Sequence, residues 1–460
     1  MISKFSVCSP TDSRYSVKEL NRYLSAEAFV KYKAMVEKAL VETLAKRGIC
    51  PEKVAKEVAA ASDSITAQEV AEEESKVIHD IRALVNVIQR KVSDQAKPYV
   101  HLTATSYDIV DTANALRYRQ AVESVIVPDM AKLAKIWIEL ARRERDTIQI
   151  GRTHGLFAEP ITFGFALAQY VNRWGNRIMK LKESSQTLVG KFSGAVGAYN
   201  SSSLFIPDPE EFEKELLSSL GLKPALVSTQ IVPPELTTDL IHSIISAWSV
   251  LANFSRDMRH LQRSEIGEVG EAFEEERVGS STMPHKRNPE SFENIESLWK
   301  EFVPRMTTKY LDQVSEHQRD LTNSASQRYD TEILMAFDFC VRRLSKVSQK
   351  LVVDRANLRR NLDLALPSIV AEPLYLLLAS KGHPDAHEYI RRLSLESSRT
   401  GRPIVDLALS DQSLQPYLKK LSGKQLELIR EPSKYVGIAS LKVDKVLGYW
   451  EKRLKEENLW

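Results

Sequence analysis

Residues 235–266 read ELTTDLIHSIISAWSVLANFSRDMRHLQRSEI, a run with neither glycine nor proline. Leu240, Ile244, Trp248, Leu251, Phe254, Met258 and Leu261 recur along it at spacings of three and four. That pattern predicts one apolar stripe on a helix of roughly 30 residues, or about 45 Å. Residues 129–149 and 329–352 carry similar text and predict further long helices. Helices of this length bury their stripes against one another as a bundle, with some stripe left over for a second copy of the chain. The stripes read as core, with no cofactor role.

Outward from that region the text stays helical. Met35, Leu40, Val41 and Leu44 recur at helical spacing before it. After it, helical segments are predicted to break at Pro367, Gly382-His383-Pro384 and Gly401-Arg402-Pro403. No internal repeat, low-complexity tract or alternating strand–helix text interrupts the pattern. The expectation is an all-α fold of three helical domains: residues 1–104, a central long-helix bundle at 105–360 that assembles between subunits, and 361–460. Arg391, Arg392, Lys419 and Lys420 in the last part read as solvated faces.

Composition bounds the function. The 460 residues are 43% hydrophobic and 27% charged, ordinary values for a globular chain able to bury a large core. A formal net charge of +3 implies no broad nucleic-acid or membrane-surface footprint. Arg142-Arg143-Glu144-Arg145 mixes both signs, as a solvated helix face does. Cys8, Cys50 and Cys340 lie far apart and form neither a metal spacing nor a disulfide framework, which favours a reducing cytoplasm. The N-terminus lacks the apolar core of a secretory signal, and no apolar run approaches about 20 residues, so no membrane span is expected.

The chemistry sits in the polar interruptions. Gly279-Ser280-Ser281-Thr282-Met283-Pro284-His285-Lys286-Arg287-Asn288-Pro289, followed by Glu293 and Asn294, reads as a hydroxyl-rich loop entering a helix. Asn288 suits the N-cap and Pro289 the first helical position. Unpaired donors at that helix start, with the charge of Lys286, would hold a carboxylate and ease deprotonation of a nearby serine. The same residues also make a plain capped surface helix. Gly151-Arg152-Thr153-His154-Gly155 is a turn that exposes a histidine able to donate a proton near neutral pH, or simply to face solvent. Thr105 or Ser106 caps the helix that follows them, with Asp108 in its first turn. Gly190-Lys191-Phe192-Ser193 lacks the ending of a phosphate-binding P-loop, and no GxGxxG follows a strand, so a nucleotide-fold reading fails.

The loop at 280–293 resembles the signature loop of the fumarase/aspartase superfamily, and its His-Lys-Arg-Asn-Pro form is similar to that of the adenylosuccinate lyase family. Other blocks carry the same resemblance in the same order. They are Pro10-Thr11-Asp12-Ser13-Arg14-Tyr15, His79-Asp80, Thr105-Ser106-Tyr107-Asp108, Gly151 to Pro160, Ser193 to Gly197, and Arg319 to Arg328. The resemblance implies a β-elimination of fumarate from a succinylated amine. It assigns Ser280 as base, His154 as acid oriented by Glu293, and Lys286 and Asn288 as stabilisers of the carbanion. His79 completes the catalytic set.

By the same resemblance Arg14 and Tyr15 meet the substrate phosphate, a role that suits the planar guanidinium fork. Asp80, His101, Thr105, Ser106, Gln230, Ser281, Arg287, Asn288, Asn294, Arg319, Ser324 and Arg328 complete the substrate contacts. The residues do not by themselves choose between Ser280 and Ser281 as base. Ile78, Tyr107 and Gln327 depart from the family pattern, in which arginine, a smaller residue and glutamate stand at those places. The resemblance further implies a small-molecule nucleotide substrate, no metal, no cofactor, and a homotetramer whose sites are each built from three subunits. Carboxymuconate cycloisomerases carry a similar loop but usually lack the histidine at the place of His154. A non-catalytic helical assembly protein on the same fold is the alternative from another class.

Overall fold

The computed structural model describes residues 8–272, 283 and 286–460. In chain order, the elements that position the candidate site are α1 (Ala26–Lys46), α2 (Ala67–Val77), α3 (Asp80–Arg90), α4 (Ser106–Ala121) and α5 (Val127–Arg143). Strands β1 (Ile148–Thr153) and β2 (Leu156–Thr162) follow, then α6 (Phe163–Gln186), α7 (Glu235–Leu261), β3 (Val269–Gly270), α8 (Glu290–Phe302) and α9 (Asp330–Gln349). The chain closes with β4 (Val352–Val353), α10 (Arg355–Ile369), α11 (Ala371–Ser380), further short helices, and α12 (Ala439–Glu456). It divides into two compact units. Unit 1 comprises Met1–Ala131, Asn176–Leu251 and Ile295–Arg343, and unit 2 comprises Lys132–Gly175, Ala252–Asn294 and Leu344–Trp460.

The α7 stripe is core. Leu240, Ile244, Trp248, Leu251 and Phe254 are fully buried and Met258 nearly so. Within unit 1, Trp248 stacks on Phe302 at 5.2 Å. Within unit 2, Trp137 stacks on Phe254 at 4.5 Å, and its indole N–H donates to Ser348 at 3.0 Å. On α1, Leu40, Val41 and Leu44 are buried as expected, whereas Met35 is exposed.

The long helices end sooner than the periodicity predicts. Helix α7 stops at Leu261, because Gly267 turns the chain at φ +63° and the Glu268 N–H returns to the Leu261 carbonyl at 2.9 Å. Helix α5 stops at Arg143, where Thr147 bonds back to the Glu144 carboxylate at 2.7 Å and Ile148 is drawn into a strand against Thr162. The antiparallel β1–β2 hairpin is therefore an element the helical reading of 129–149 missed.

Pro367 does not break its segment. It lies in the last turn of α10, where a missing N–H removes a single ladder bond, and the break comes after Ile369. The span Arg355–Ser380 has an 18-residue window of mean hydropathy 1.6, so the chain does hold a run long and apolar enough to match a membrane crossing. Here the span is two helices. Leu362, Ala365 and Ile369 of α10 pack with Ile150 of β1, while Leu374 and Leu378 of α11 enter a separate core with Ile390, Leu407 and Ile429.

Gly175 is required by a close approach. A Cβ at Gly175, inside α6, would lie 2.4 Å from the Trp450 ring of α12. Helix propensity alone favours Gly175→Ala by about 1 kcal/mol. Overpacking costs roughly 1–3 kcal/mol or more, so a net loss of stability is expected, read as a lower denaturant midpoint at unchanged slope. A raised midpoint would show that Trp450 yields freely.

Candidate active site

The sequence-predicted residues fall into two sets, one in each unit. In unit 1 they collect at helix starts. His79 is the N-cap of α3, its Nδ1 accepting from the Arg82 N–H at 3.2 Å. Ile78 before it adopts φ +53°, a left-handed conformation unusual for a β-branched residue. Asp80 accepts from the nearly buried Lys33 at 3.0 Å. Burial works to raise the Asp80 carboxyl, but Lys33 outweighs it and the net shift is downward.

His101, at φ +64°, places Nδ1 2.6 Å from the buried Glu37 carboxylate. Burial alone draws this imidazole down, yet Glu37 draws it up, and the net lies above the ordinary histidine value. The resulting stability is fully present below the unfolded value of about 6.5 and is lost as pH rises through the raised folded value. Wild type is therefore expected to lose stability relative to His101→Gln as pH rises through neutrality and above. Parallel denaturation curves at every pH would contradict this.

Thr105 is the N-cap of α4 and Ser106 its first helical residue. The Thr105 N–H donates to Asp108 at 2.8 Å. Asp108 is a hub. It is fully buried, pairs with the fully buried Lys191, and accepts the Ser193 and Gly194 N–H groups at 3.2 and 3.3 Å. Lys191 also donates to the Gly194 carbonyl at 3.1 Å. This pairing fixes the Ser193–Gly197 turn. Gly197, at φ +82°, leaves no room for a side chain, since a Cβ would lie 2.0 Å from the Ser228 carbonyl. Ser193 and Ser228 bridge through their hydroxyls at 2.6 Å, which brings the turn to the segment that carries Gln230. Lys191 was missed at the sequence level. The available signal was a lysine inside the apolar text Leu188-Val189-Gly190-Lys191-Phe192.

Arg319 lies over the Tyr107 ring at 4.1 Å, bonds its hydroxyl, and donates to Asn323 at 2.7 Å. The bulky Tyr107 thus anchors Arg319. Burial pushes the Tyr107 hydroxyl up, Arg319 opposes this, and Asp111 and Asp80 add to it, so these charges share one neighbourhood. Arg319 Nε is buried with no hydrogen-bond partner among the described residues, a condition that native structures seldom leave unexplained. Tyr15 packs edge-on to Phe339 at 5.2 Å, and Arg14 is exposed. Ser324 is half-buried in the loop after Arg319, while Arg328 is exposed on the short helix Ser326–Tyr329. A cavity of about 40 Å³ in this unit, lined by Asp111, Lys309, Asp312 and Asp330 among others, takes in none of the predicted site residues.

In unit 2, His154 and Gly155 are the two turn residues of the β1–β2 hairpin, with φ +54° and +81°. Two positive φ values are the mark of the tight primed turn that suits hairpin twist. His154 is exposed at the tip, beside Leu156 and Phe157 at 73% and 47% exposure. The hairpin is locked from below by Glu268, which is fully buried. Both terminal nitrogens of Arg152 reach its carboxylate at 2.6 and 3.1 Å, Gln149 donates at 2.7 Å, and Asn361 of α10 donates at 2.8 Å. Sequence reasoning missed Glu268 because nothing local separates it from the other acids between Glu265 and Glu276.

Ser280 and Ser281 lie outside the described residues, as do Gly279, Thr282, Pro284 and His285. Lys286 and Arg287 are exposed, and Asn288 and Asn294 are half-buried. Glu293 stands 3.8 Å from Arg259 within this chain. The capping expectation needs correction. Helix α8 begins at Glu290, and the Pro289 carbonyl accepts its first helical bond from Glu293 at 3.0 Å, so Pro289 and not Asn288 holds the N-cap position. Proline has no capping side chain. The donors at Ser291 and Phe292 instead meet the Glu271 carboxylate at 2.8 and 3.0 Å. The helix start expected to receive a substrate carboxylate already holds one of the protein's own. Among the described residues no three His, Cys, Asp or Glu side chains are grouped to hold a metal ion.

A lyase family model matches residues 6–301, and an adenylosuccinate lyase C-terminal model matches residues 315–426. The chain is 35% identical over 449 residues to the adenylosuccinate lyase of Pyrococcus abyssi, covering 96% of this chain and 98% of that protein. It is 33% identical over 453 residues to the adenylosuccinate lyase of Archaeoglobus fulgidus, covering 98% and 100%. A 3-carboxy-cis,cis-muconate lactonizing enzyme from Pseudomonas putida superposes with a TM-score of 0.83 at 24% identity, over 95% of this chain and 98% of that one. That last likeness is one of fold.

Proposed function

We propose that this chain, which belongs to the adenylosuccinate lyase family of the fumarase/aspartase superfamily, divides the catalytic labour among its residues as follows. The protein is a carbon–nitrogen lyase that eliminates fumarate from adenylosuccinate to leave AMP. Action on the succinyl-aminoimidazole carboxamide ribotide, which presents the same succinylated nitrogen, belongs to the proposal.

The reaction removes a weakly acidic proton from the carbon beside a carboxylate, stabilises the carbanion, and protonates the leaving nitrogen. His154 supplies that last proton. The observation that carries this assignment is its exposed place at the tip of a primed turn held by the Arg152–Glu268 lock. Such presentation suits transfer to a partner that arrives from outside. Ser280 is the base and Ser281 a substrate contact. Lys286 and Asn288 stabilise the carbanion, so that charge develops against fixed donors. Glu293 orients His154. In unit 1 His79 completes the catalytic set, and Asp80, His101, Thr105, Ser106, Gln230, Arg319 and Ser324 bind the substrate, with Arg14, Tyr15 and Arg328 at its phosphate.

The exposed hairpin tip supports assembly of each site from several copies in a homotetramer. The three-part division at residues 104 and 360, and a cytoplasmic location, belong to the same proposal. The test is a substrate panel. Adenylosuccinate should be turned over, with 3-carboxy-cis,cis-muconate and argininosuccinate left unchanged. Turnover of either of those and not adenylosuccinate would overturn the reading. A monodisperse, active monomer by light scattering would overturn the shared site.

A further inference from the structure

The segment from Ala272 to Lys286 carries the proposed base, and the chain enters and leaves it at two points that lie close together. Glu271 stands at its entrance. Its Oε1 accepts the Ser291 and Phe292 N–H groups, the second and third positions of α8, at 2.8 and 3.0 Å. Those are the donors that a capping side chain normally satisfies, and a carboxylate there also complements the helix dipole. Gln262, just past the end of α7, makes a second bridge. Its Oε1 accepts the Glu271 N–H at 3.1 Å, and its Nε2 donates to the Arg287 carbonyl at 3.3 Å. One side chain therefore grips both ends of the segment, and a second ties the entrance to the helix that follows. Neither contact uses the local sequence on its own side, since Glu271 caps a helix 20 positions away and Gln262 spans 25.

We propose that Glu271 and Gln262 are positioning residues that tie the chain at Glu271 to the stretch from Arg287 to Phe292, and so set where Lys286, Asn288 and Glu293 stand against the substrate. This rests on the functional reading above. The geometry distinguishes two roles for Glu271. As a staple it takes no part in substrate binding, and its loss lowers the chemical step. As a competitor for the α8 donors it would hold off the substrate carboxylate, and its loss would tighten substrate binding. The second bridge favours the staple, because Gln262 carries no charge and yet fixes the same two strands of chain.

The full-length protein is tested as Glu271→Ala, Glu271→Gln and Gln262→Leu. A misplacement of about 1 Å costs on the order of 10²-fold in rate, so Glu271→Ala should lose about that much in kcat with little change in KM. Gln262→Leu should lose in the same direction. Glu271→Gln keeps an oxygen that can accept from both N–H groups and should recover most of the rate. Hydrogen exchange at the Ser291 and Phe292 amides needs no substrate. It should be slow in wild type and Glu271→Gln, and fast in Glu271→Ala. Unchanged kcat in Glu271→Ala, a fall in its KM, or exchange indifferent to the substitution would each overturn the proposal. A wild type that leaves adenylosuccinate untouched would instead overturn the functional reading, with exchange still deciding whether the staple exists.

Discussion

Glu268→Ala is expected to cost about 3–5 kcal/mol of folding stability, the range for breaking a buried ion pair by removing one partner. The carboxylate is completely buried and has Gln149, Arg152 and Asn361 as donors. Its removal leaves the Arg152 guanidinium, 16% exposed, with no counter-charge at that point, and strands two amide donors as well. The penalty comes chiefly from those orphaned groups, since desolvation offsets much of what a buried pair gains by forming. Glu268→Gln, which keeps the shape and one acceptor, should cost less. Because Arg152 lies two residues before His154 on the hairpin, both variants should also lose activity. Urea denaturation at neutral pH measures the effect, and a loss under about 1 kcal/mol for Glu268→Ala would show that water takes over the lock.

His154→Asn should lower kcat by about 10²–10⁴-fold, the usual worth of one positioned proton donor, with stability within about 0.5 kcal/mol of wild type. Asparagine is the choice because the site has φ +54°, which asparagine tolerates better than alanine while offering no titratable proton. The side chain is exposed, so a large fall in stability is not expected. An active variant would remove His154 from the mechanism. A variant that unfolds would point to a structural role for the turn.

How far the sequence could be read follows from what kind of signal each feature leaves. The α7 stripe repeats through Leu240, Trp248 and Phe254, and a repeated signal averages over local exceptions, so the helical class was plain. Its end was not, because the stop at Leu261 is set by Gly267 and by a bond from Glu268 that belongs to the next turn of chain. The hairpin at 148–162 was hidden for a related reason. The charged run Arg142-Arg143-Glu144-Arg145-Asp146 between α5 and β1 reads as a solvated helix face, and only the His154-Gly155 pair marks the reversal.

In the candidate site, residues that act through their own local sequence were legible: the Thr105 cap with Asp108 in the first turn, and the histidine in a glycine-flanked turn. Residues that act by reaching a distant segment were not. Lys191 to Asp108 spans 83 positions and Arg152 to Glu268 spans 116. The cap of α8 shows the same limit. Asn288 had the right chemistry one position too early, and the cap came from Glu271, which no spacing rule connects to Ser291.

The most direct test of the whole account is product analysis of one reaction, purified full-length protein with adenylosuccinate, following ultraviolet absorbance and fumarate together. AMP and fumarate should form in equal amounts, at a rate lowered about 10²–10⁴-fold by His154→Asn in protein that keeps its helical content. Consumption of adenylosuccinate without fumarate, or no consumption at all by the folded wild type, would contradict it.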